Sequence, residues 1–280
     1  MSSHDGELPW LDGGTREQVC STLAVRPRGL LTDVDGTISA IAPAPADAVL
    51  LPGVAELLAQ ACTVFDVVAA ISGRSAADAR RLVGVPGIIY VGNHGLECIK
   101  ATAEGAEEVQ VLPAVQPYVE TINAALDDVE DALSPRFPGM VVERKGASGS
   151  VHVRATSEPE IAEEAVTRAL TAIALPRGLR VTHGKLVVEL RPPLAVDKGT
   201  AVTGLVRSFG LRGALYLGDD RTDIDAFRAL HQLCIDEQCR GVTVAILHPE
   251  APPDLAGEAD VVLDSIEHVP AFLRWVLANT

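Results

Sequence analysis

The sequence predicts an α/β protein: a Rossmann-like core with a parallel sheet, interrupted by a smaller inserted α+β unit. Three observations predict it. Apolar runs of strand length alternate with helical segments from residue 29 to residue 91, the βαβαβ rhythm of a parallel sheet with right-handed crossovers. After Gly92 that rhythm gives way to hairpin-like runs mixed with amphipathic helices, and from Asp197 it returns to the C-terminus.

Residues 1–27 read as a leader with one short helix, in which Thr15 and Gln18 fit a capping box ahead of residues 19–23. The first core strand is 29–34. A helix at 52–62 follows, with a proline near its first turn. Then come strand 64–71, helix 76–83 and strand 87–91. Residues 97–111 alternate and carry Gly105, as a hairpin does. A long amphipathic helix spans 115–133, and β-type runs occupy 140–144 and 150–154. A helix at 159–174 precedes a second hairpin, 180–182 with 186–190, turning at His183-Gly184. The core then resumes with helix 198–209, strand 214–217, helix 222–230, strands 242–246 and 260–263, and a last helix at 266–278. The expected organisation is a discontinuous core of 1–95 and 192–280 with a cap inserted at 96–191.

Composition narrows the function. Apolar residues make up 48% and charged residues 22%, which fits a globular chain and excludes a disordered one. A net charge of −15 argues against a nucleic-acid partner, because phosphate backbones require a basic face. It does not exclude a small anionic substrate, since a metal ion and a few lysines reverse the field locally. The five cysteines are scattered without a CxxC pair, as expected of reduced, structural thiols in a cytoplasmic protein. Residues 1–14 lack the apolar stretch of a signal peptide, and no run approaches 18 apolar residues, so no membrane partner is expected.

The chemistry concentrates where strands end. Asp33-Val34-Asp35-Gly36-Thr37 follows the first strand. A parallel strand delivers its last side chains into the crevice where α/β proteins bind ligands. Two carboxylates there, with a glycine for a tight turn, point to a nucleophile and a partner acid/base around a metal. Ser72-Gly73-Arg74 ends the second strand, Gly218-Asp219-Asp220-Arg221-Thr222-Asp223 ends a later one, and Lys198 opens a helix. Each cluster alone also reads as an ordinary turn or helix cap. Their coincidence at neighbouring strand ends is what carries meaning.

The series DVDGT, ISGR, DKG and GDDxTD resembles the haloacid dehalogenase (HAD) superfamily of aspartate-nucleophile phosphatases. The resemblance implies that Asp33 attacks phosphorus and that Asp35 protonates the leaving group and then activates water. It implies that Thr37, Ser72, Gly73 and Arg74 hold the phosphoryl group while Lys198 neutralises charge. It further implies Mg²⁺ on Asp33, the Asp35 carbonyl and Asp219, with Asp223 in support, since hard oxygen ligands suit that ion.

Further motifs specify the insert. GNHGLE at 92–97, Glu143-Arg144-Lys145-Gly146, Val151-His152-Val153-Arg154 and Gly184-Lys185 with Glu189 resemble, in this order, those of trehalose-6-phosphate phosphatases. The resemblance implies that Asn93, His94, Glu143, Lys145, Arg154, Lys185 and Glu189 recognise the sugar, and that cap closure excludes water. Lys185 and Glu189 are expected to share one face of a strand. His94 and His152 read equally well as structural histidines.

The expected activity is Mg²⁺-dependent hydrolysis of trehalose 6-phosphate to trehalose and phosphate. The alternative is the same chemistry on another sugar phosphate, such as a sucrose or glucosylglycerate phosphate. A phosphosugar-binding module without turnover and an inert fold with solvated acidic loops are the non-enzymatic readings. A monomer is expected, with a small phosphosugar as its partner. Three positions depart from the family pattern: Ile224 where a Glu is usual, Arg144 where an Asp is common, and Val153 where an aromatic is common.

Overall fold

The computed structural model describes residue 8 and residues 11–42, 45–101, 107–184 and 186–280. Lys185 and Gly105 therefore lie outside the described residues. The chain forms two compact units, residues 1–109 with 196–280 and residues 110–195.

In the larger unit, helix α1 (Gly13–Leu23) leads into strand β1 (Arg28–Thr32). The α1 cap is Asp12, whose carboxylate accepts from the Thr15 N–H, so the helix starts earlier than the Thr15 box predicts. Asp has the same capping chemistry as Thr and stands nearer the chain's entry into the helix. Helix α2 (Val54–Val64), strand β2 (Val67–Ile71), helix α3 (Ala76–Val83) and strand β3 (Ile89–Gly92) follow. Strands β4 (Glu97–Ala101) and β5 (Glu107–Val111) come next. After the smaller unit the chain adds α6 (Lys198–Phe209), β10 (Gly213–Gly218), α7 (Arg221–Ile235), β11 (Arg240–Ile246), β12 (Val261–Leu263) and α8 (Val269–Ala278).

These strands form one sheet in the order β12-β11-β10-β1-β2-β3-β4-β5. From β12 to β3 every pairing is parallel, and β4 runs antiparallel to β3. The chain winds outward from β1 in both directions, so the switch point lies between β1 and β10. The expected boundary at residue 96 is thereby corrected. Residues 97–101 and 107–111 are strands, as the alternation indicates, but they extend the main sheet, so the insert begins near residue 110.

Side chains alternate between two apolar layers because successive strand residues point to opposite faces. Leu30, Val68, Leu215, Leu217, Val242 and Val244 face the layer shared with α2 and α8. Leu31, Ala69, Ile71, Ala214, Tyr216 and Ala245 face the layer shared with α6 and α7. Both faces are buried, which is why these strands read as continuous apolar runs.

The smaller unit holds helices α4 (Val119–Leu133) and α5 (Pro159–Ala174). Its strands are β6 (Val141–Arg144), β7 (Gly149–His152), β8 (Arg180–Gly184) and β9 (Val187–Arg191), in the antiparallel order β6-β7-β9-β8. Val151, Val188 and Leu190 pack with Ile122, Leu126, Val166 and Leu170 of the two helices. His183 and Gly184 belong to β8, pairing with Val188 and Val187, so the turn lies one or two residues later than the sequence implies. Leu186 in that turn adopts φ 57°.

Among the described residues no helix is long and apolar enough to cross a membrane.

Candidate active site

The loop after β1 starts with Asp33, whose N–H donates to the carbonyl of Leu217 on β10 at 2.8 Å. That bond prolongs the β1–β10 ladder and fixes the carboxylate at the switch point. Gly36, at φ 83°, turns the loop back. A Cβ there would lie 2.0 Å from Asp219 Oδ2, so only glycine lets the loop approach the next strand's end. Asp219 and Asp223 come from the β10–α7 connection, where Asp220 caps α7 by accepting from the Thr222 and Asp223 N–H groups.

Lys198 opens α6 behind its own cap, Asp197, and is 1% exposed. Its Nζ lies 2.9 Å from Asp33 Oδ1, 2.7 Å from Asp223 Oδ1 and 3.5 Å from Asp220 Oδ1. Burial disfavours the ammonium, but Asp220, Asp223 and Asp33 outweigh it and hold Lys198 charged well above its ordinary range. The carboxylates respond in opposite senses. Burial, with Asp223, Asp219 and Asp220 close by, pushes Asp33 well up despite Lys198. Burial also pushes Asp219 up and Asp223 up to about 7, with neighbouring carboxylates adding to the effect. Asp220 goes down, because Lys198 and its hydrogen bonds overcome burial.

Could these groups hold a cation? Oxygens of Asp33, Asp219 and Asp223 lie within 4.8 Å of one another, a grouping found among the described residues. All are hard donors. Asp223 is already engaged, accepting from Lys198 Nζ and the Tyr216 hydroxyl (2.6 Å) on one oxygen and from the Asp219 and Asp220 N–H groups on the other. It is placed to support the loop and the lysine, while Asp33 and Asp219 keep lone pairs for a small divalent ion. The donor set fits such an ion.

Asp35 stands apart from this group. Arg74 grips it through two parallel bonds of 2.6 Å, Nε to Oδ2 and Nη2 to Oδ1. This bidentate geometry fixes the carboxylate in orientation as well as in place. The Thr37 hydroxyl, expected on phosphate, donates to Asp219 Oδ1 at 2.6 Å. Ser72 is buried, and its hydroxyl accepts from the Arg74 N–H.

The Gly92–Glu97 motif serves this same site from beneath. Asn93 and His94 both sit in the left-handed region, at φ 51° and 57°. Their N–H groups donate to the Arg74 and Ser72 carbonyls, so the turn clamps the Ser72–Arg74 loop. A Cβ on Gly73 would lie 2.7 Å from His94 Nε2, and one on Gly92 would lie 2.1 Å from the Ala76 nitrogen. Glu97 accepts from that same Ala76 N–H, satisfying the first turn of α3. Asn93 and His94 thus belong to the larger unit.

In the smaller unit the register aligns Glu143, Ser150, Glu189 and Thr182 in one row across all four strands. Lys145 lies 3.4 Å from Glu189 and 3.6 Å from Glu143. His152 reaches Glu143 at 2.9 Å, and the Ser150 hydroxyl donates to Glu189 at 3.2 Å. Arg154 is half-buried just beyond β7. Arg144 turns away from this row and pairs with Asp127 and Glu130 on α4. Ile224 packs into the apolar layer under α7.

Sequence reasoning missed Tyr216 and His248, and quoted Asp220 within its motif without giving it a role. His248 follows β11 and places Nε2 3.0 Å from Asp219 Oδ2. The strand-end argument, applied to one more strand, would have found it.

The trehalose-phosphatase family model matches residues 31–254. The chain is 34% identical over 259 residues to the trehalose-phosphate phosphatase of Mycobacterium leprae, an alignment covering 89% of this chain and 57% of that protein. The chain thus spans little more than half the length of that relative. Its fold is similar to the C-terminal domain of C. albicans trehalose-6-phosphate phosphatase, with TM-score 0.76, 23% identity and coverage of 94% and 96%. It is also similar to a haloacid dehalogenase-like hydrolase from Bacteroides thetaiotaomicron, with TM-score 0.59, 14% identity and coverage of 89% and 99%. With the family's motifs on the strand ends and its model spanning both halves of the core, the chain belongs to the trehalose-phosphatase family.

Proposed function

We propose that the chain is a Mg²⁺-dependent phosphatase that hydrolyses trehalose 6-phosphate to trehalose and phosphate. The observation that carries this is Lys198 held against Asp33 at the switch point, with Asp35 fixed separately two residues on. Asp33 attacks phosphorus, forming an O–P bond as the bond to the sugar oxygen breaks. Asp35, protonated from solvent once Arg74 releases one of its oxygens, gives that proton to the sugar oxygen, then takes one from the water that cleaves the aspartyl-phosphate. Lys198 offsets charge on the nucleophile and the phosphoryl group. Asp33 and Asp219, with Asp223 in support, would hold Mg²⁺, which would supply the electrophilic charge that lets an anionic carboxylate approach an anionic phosphate.

The smaller unit supplies what a disaccharide needs. The carboxylates of Glu143 and Glu189 accept from hydroxyls, and the Lys145 ammonium donates to them. A site built on such bonds rejects sugars that lack the matching hydroxyls. The test is Mg²⁺-dependent phosphate release from trehalose 6-phosphate beside sucrose 6-phosphate, glucose 6-phosphate and an aryl phosphate, with Asp33→Asn as blank. Strong preference for trehalose 6-phosphate is expected. Turnover of the aryl phosphate alone would keep the chemistry and reject the sugar, and turnover by Asp33→Asn would reject the nucleophile.

A further inference from the structure

We infer that His248 is a positioning residue that orients Asp219 for the cation, an inference resting on the metal reading above. Asp219 is held from two sides. Thr37 donates to Oδ1 at 2.6 Å and His248 Nε2 lies 3.0 Å from Oδ2. The second contact needs a donor, and the local backbone provides one. The Glu250 N–H donates to His248 Nδ1 at 3.1 Å, which makes Nδ1 the acceptor and leaves the proton on Nε2. The ring is fixed further by a turn in which the Ala251 N–H donates to the His248 carbonyl at 3.0 Å.

Strand order explains why a residue so distant in sequence arrives here. β11 lies beside β10 in parallel register, so the loop leaving β11 emerges next to the loop carrying Asp219. His248 is largely enclosed, with its side chain 15% exposed. It stands outside the acidic group itself and acts through Asp219, as the outer partner of a metal-ligating carboxylate does. Thr37 and His248 thus occupy one lone pair on each Asp219 oxygen and leave the other for a cation.

Two substitutions separate positioning from loop architecture. His248→Asn keeps an acceptor near Nδ1 for the Glu250 N–H but cannot reach Asp219. His248→Gln can place an amide N–H near Nε2. Mg²⁺ affinity is measured by calorimetry on the metal-free protein, together with the Mg²⁺-induced rise in Tm. His248→Asn is expected to bind Mg²⁺ about tenfold or more weakly, and His248→Gln to recover most of that loss. Wild-type affinity in His248→Asn, or equal weakening in both variants, would overturn the inference while leaving the metal reading intact. A wild-type protein with no Mg²⁺ response would overturn both.

Discussion

Asp33→Asn should abolish turnover and at the same time stabilise the metal-free protein. Asp33 lies within 4.8 Å of Asp219 and Asp223 oxygens, and at an effective dielectric of about 20 each such like-charge neighbour costs at least about 3.5 kcal/mol. Lys198, 2.9 Å away, offsets about 6 kcal/mol on the same scale. Two repulsions slightly exceed one attraction, and burial of the charge adds a penalty of the same sign. Lys198 meanwhile keeps Asp223 at 2.7 Å, so the variant leaves no orphaned ammonium. The net expectation is a gain of about 1–2 kcal/mol at pH 8 in EDTA, read from urea denaturation. The pH dependence is specific. Burial and its acidic neighbours raise the Asp33 carboxyl in the folded state, so the folded state binds more protons than the unfolded state across the interval above 3.8. Wild-type stability therefore falls as pH rises through that interval, and Asp33→Asn escapes the fall. The gap between the two should be smaller at pH 5.5 than at pH 8. Mg²⁺ should reverse the order by stabilising the wild type more. A variant less stable than wild type in EDTA at pH 8, or a gap independent of pH, would refute the reasoning.

Other outcomes follow from the same contacts. Arg74→Ala removes the grip on Asp35 and should lower kcat about 100-fold on sugar and aryl phosphates alike, in steady-state assays. Lys145→Ala and Glu189→Ala should reduce kcat/KM for the disaccharide phosphate while sparing the aryl phosphate; equal losses would remove the sugar-reading role. Burial pushes the Cys239 thiol up to about 12, so peptide mapping after iodoacetamide treatment at pH 8 should find it unmodified in folded protein and modified in urea.

Much of this was legible because local chemistry and global fold agree. Ser75 and Asp197 mark the starts of α3 and α6, and Pro159 the start of α5, at the residues where the structure begins them. The buried strands announced themselves as apolar runs, and the acidic motifs fell at their ends. What escaped depended on neighbours. Alternation marks 97–111 as strands but cannot say which sheet edge they join, so the insert boundary was misplaced. Arg74 meets Asp35 because β1 and β2 are adjacent, and His248 meets Asp219 because β10 and β11 are. Lys145, in the turn from β6 to β7, meets Glu189 because β9 pairs with β7. Spacing along the chain contains none of these pairings.

The caps of α6 and α7 have a consequence for how activity is lost. Lys198 is the first residue of α6, inside the capping box of Asp197 with Thr200, and Asp223 is the third of α7, itself a member of the capping box with Asp220. Helix ends are where native proteins open most readily, well below the free energy of global unfolding. A cap holds such an end by about 1 kcal/mol. Fraying of one turn would carry the lysine or its supporting carboxylate away while the eight-stranded sheet stayed intact. Local opening of these two first turns, read by amide exchange, is therefore expected to abolish the proposed activity below the melting temperature.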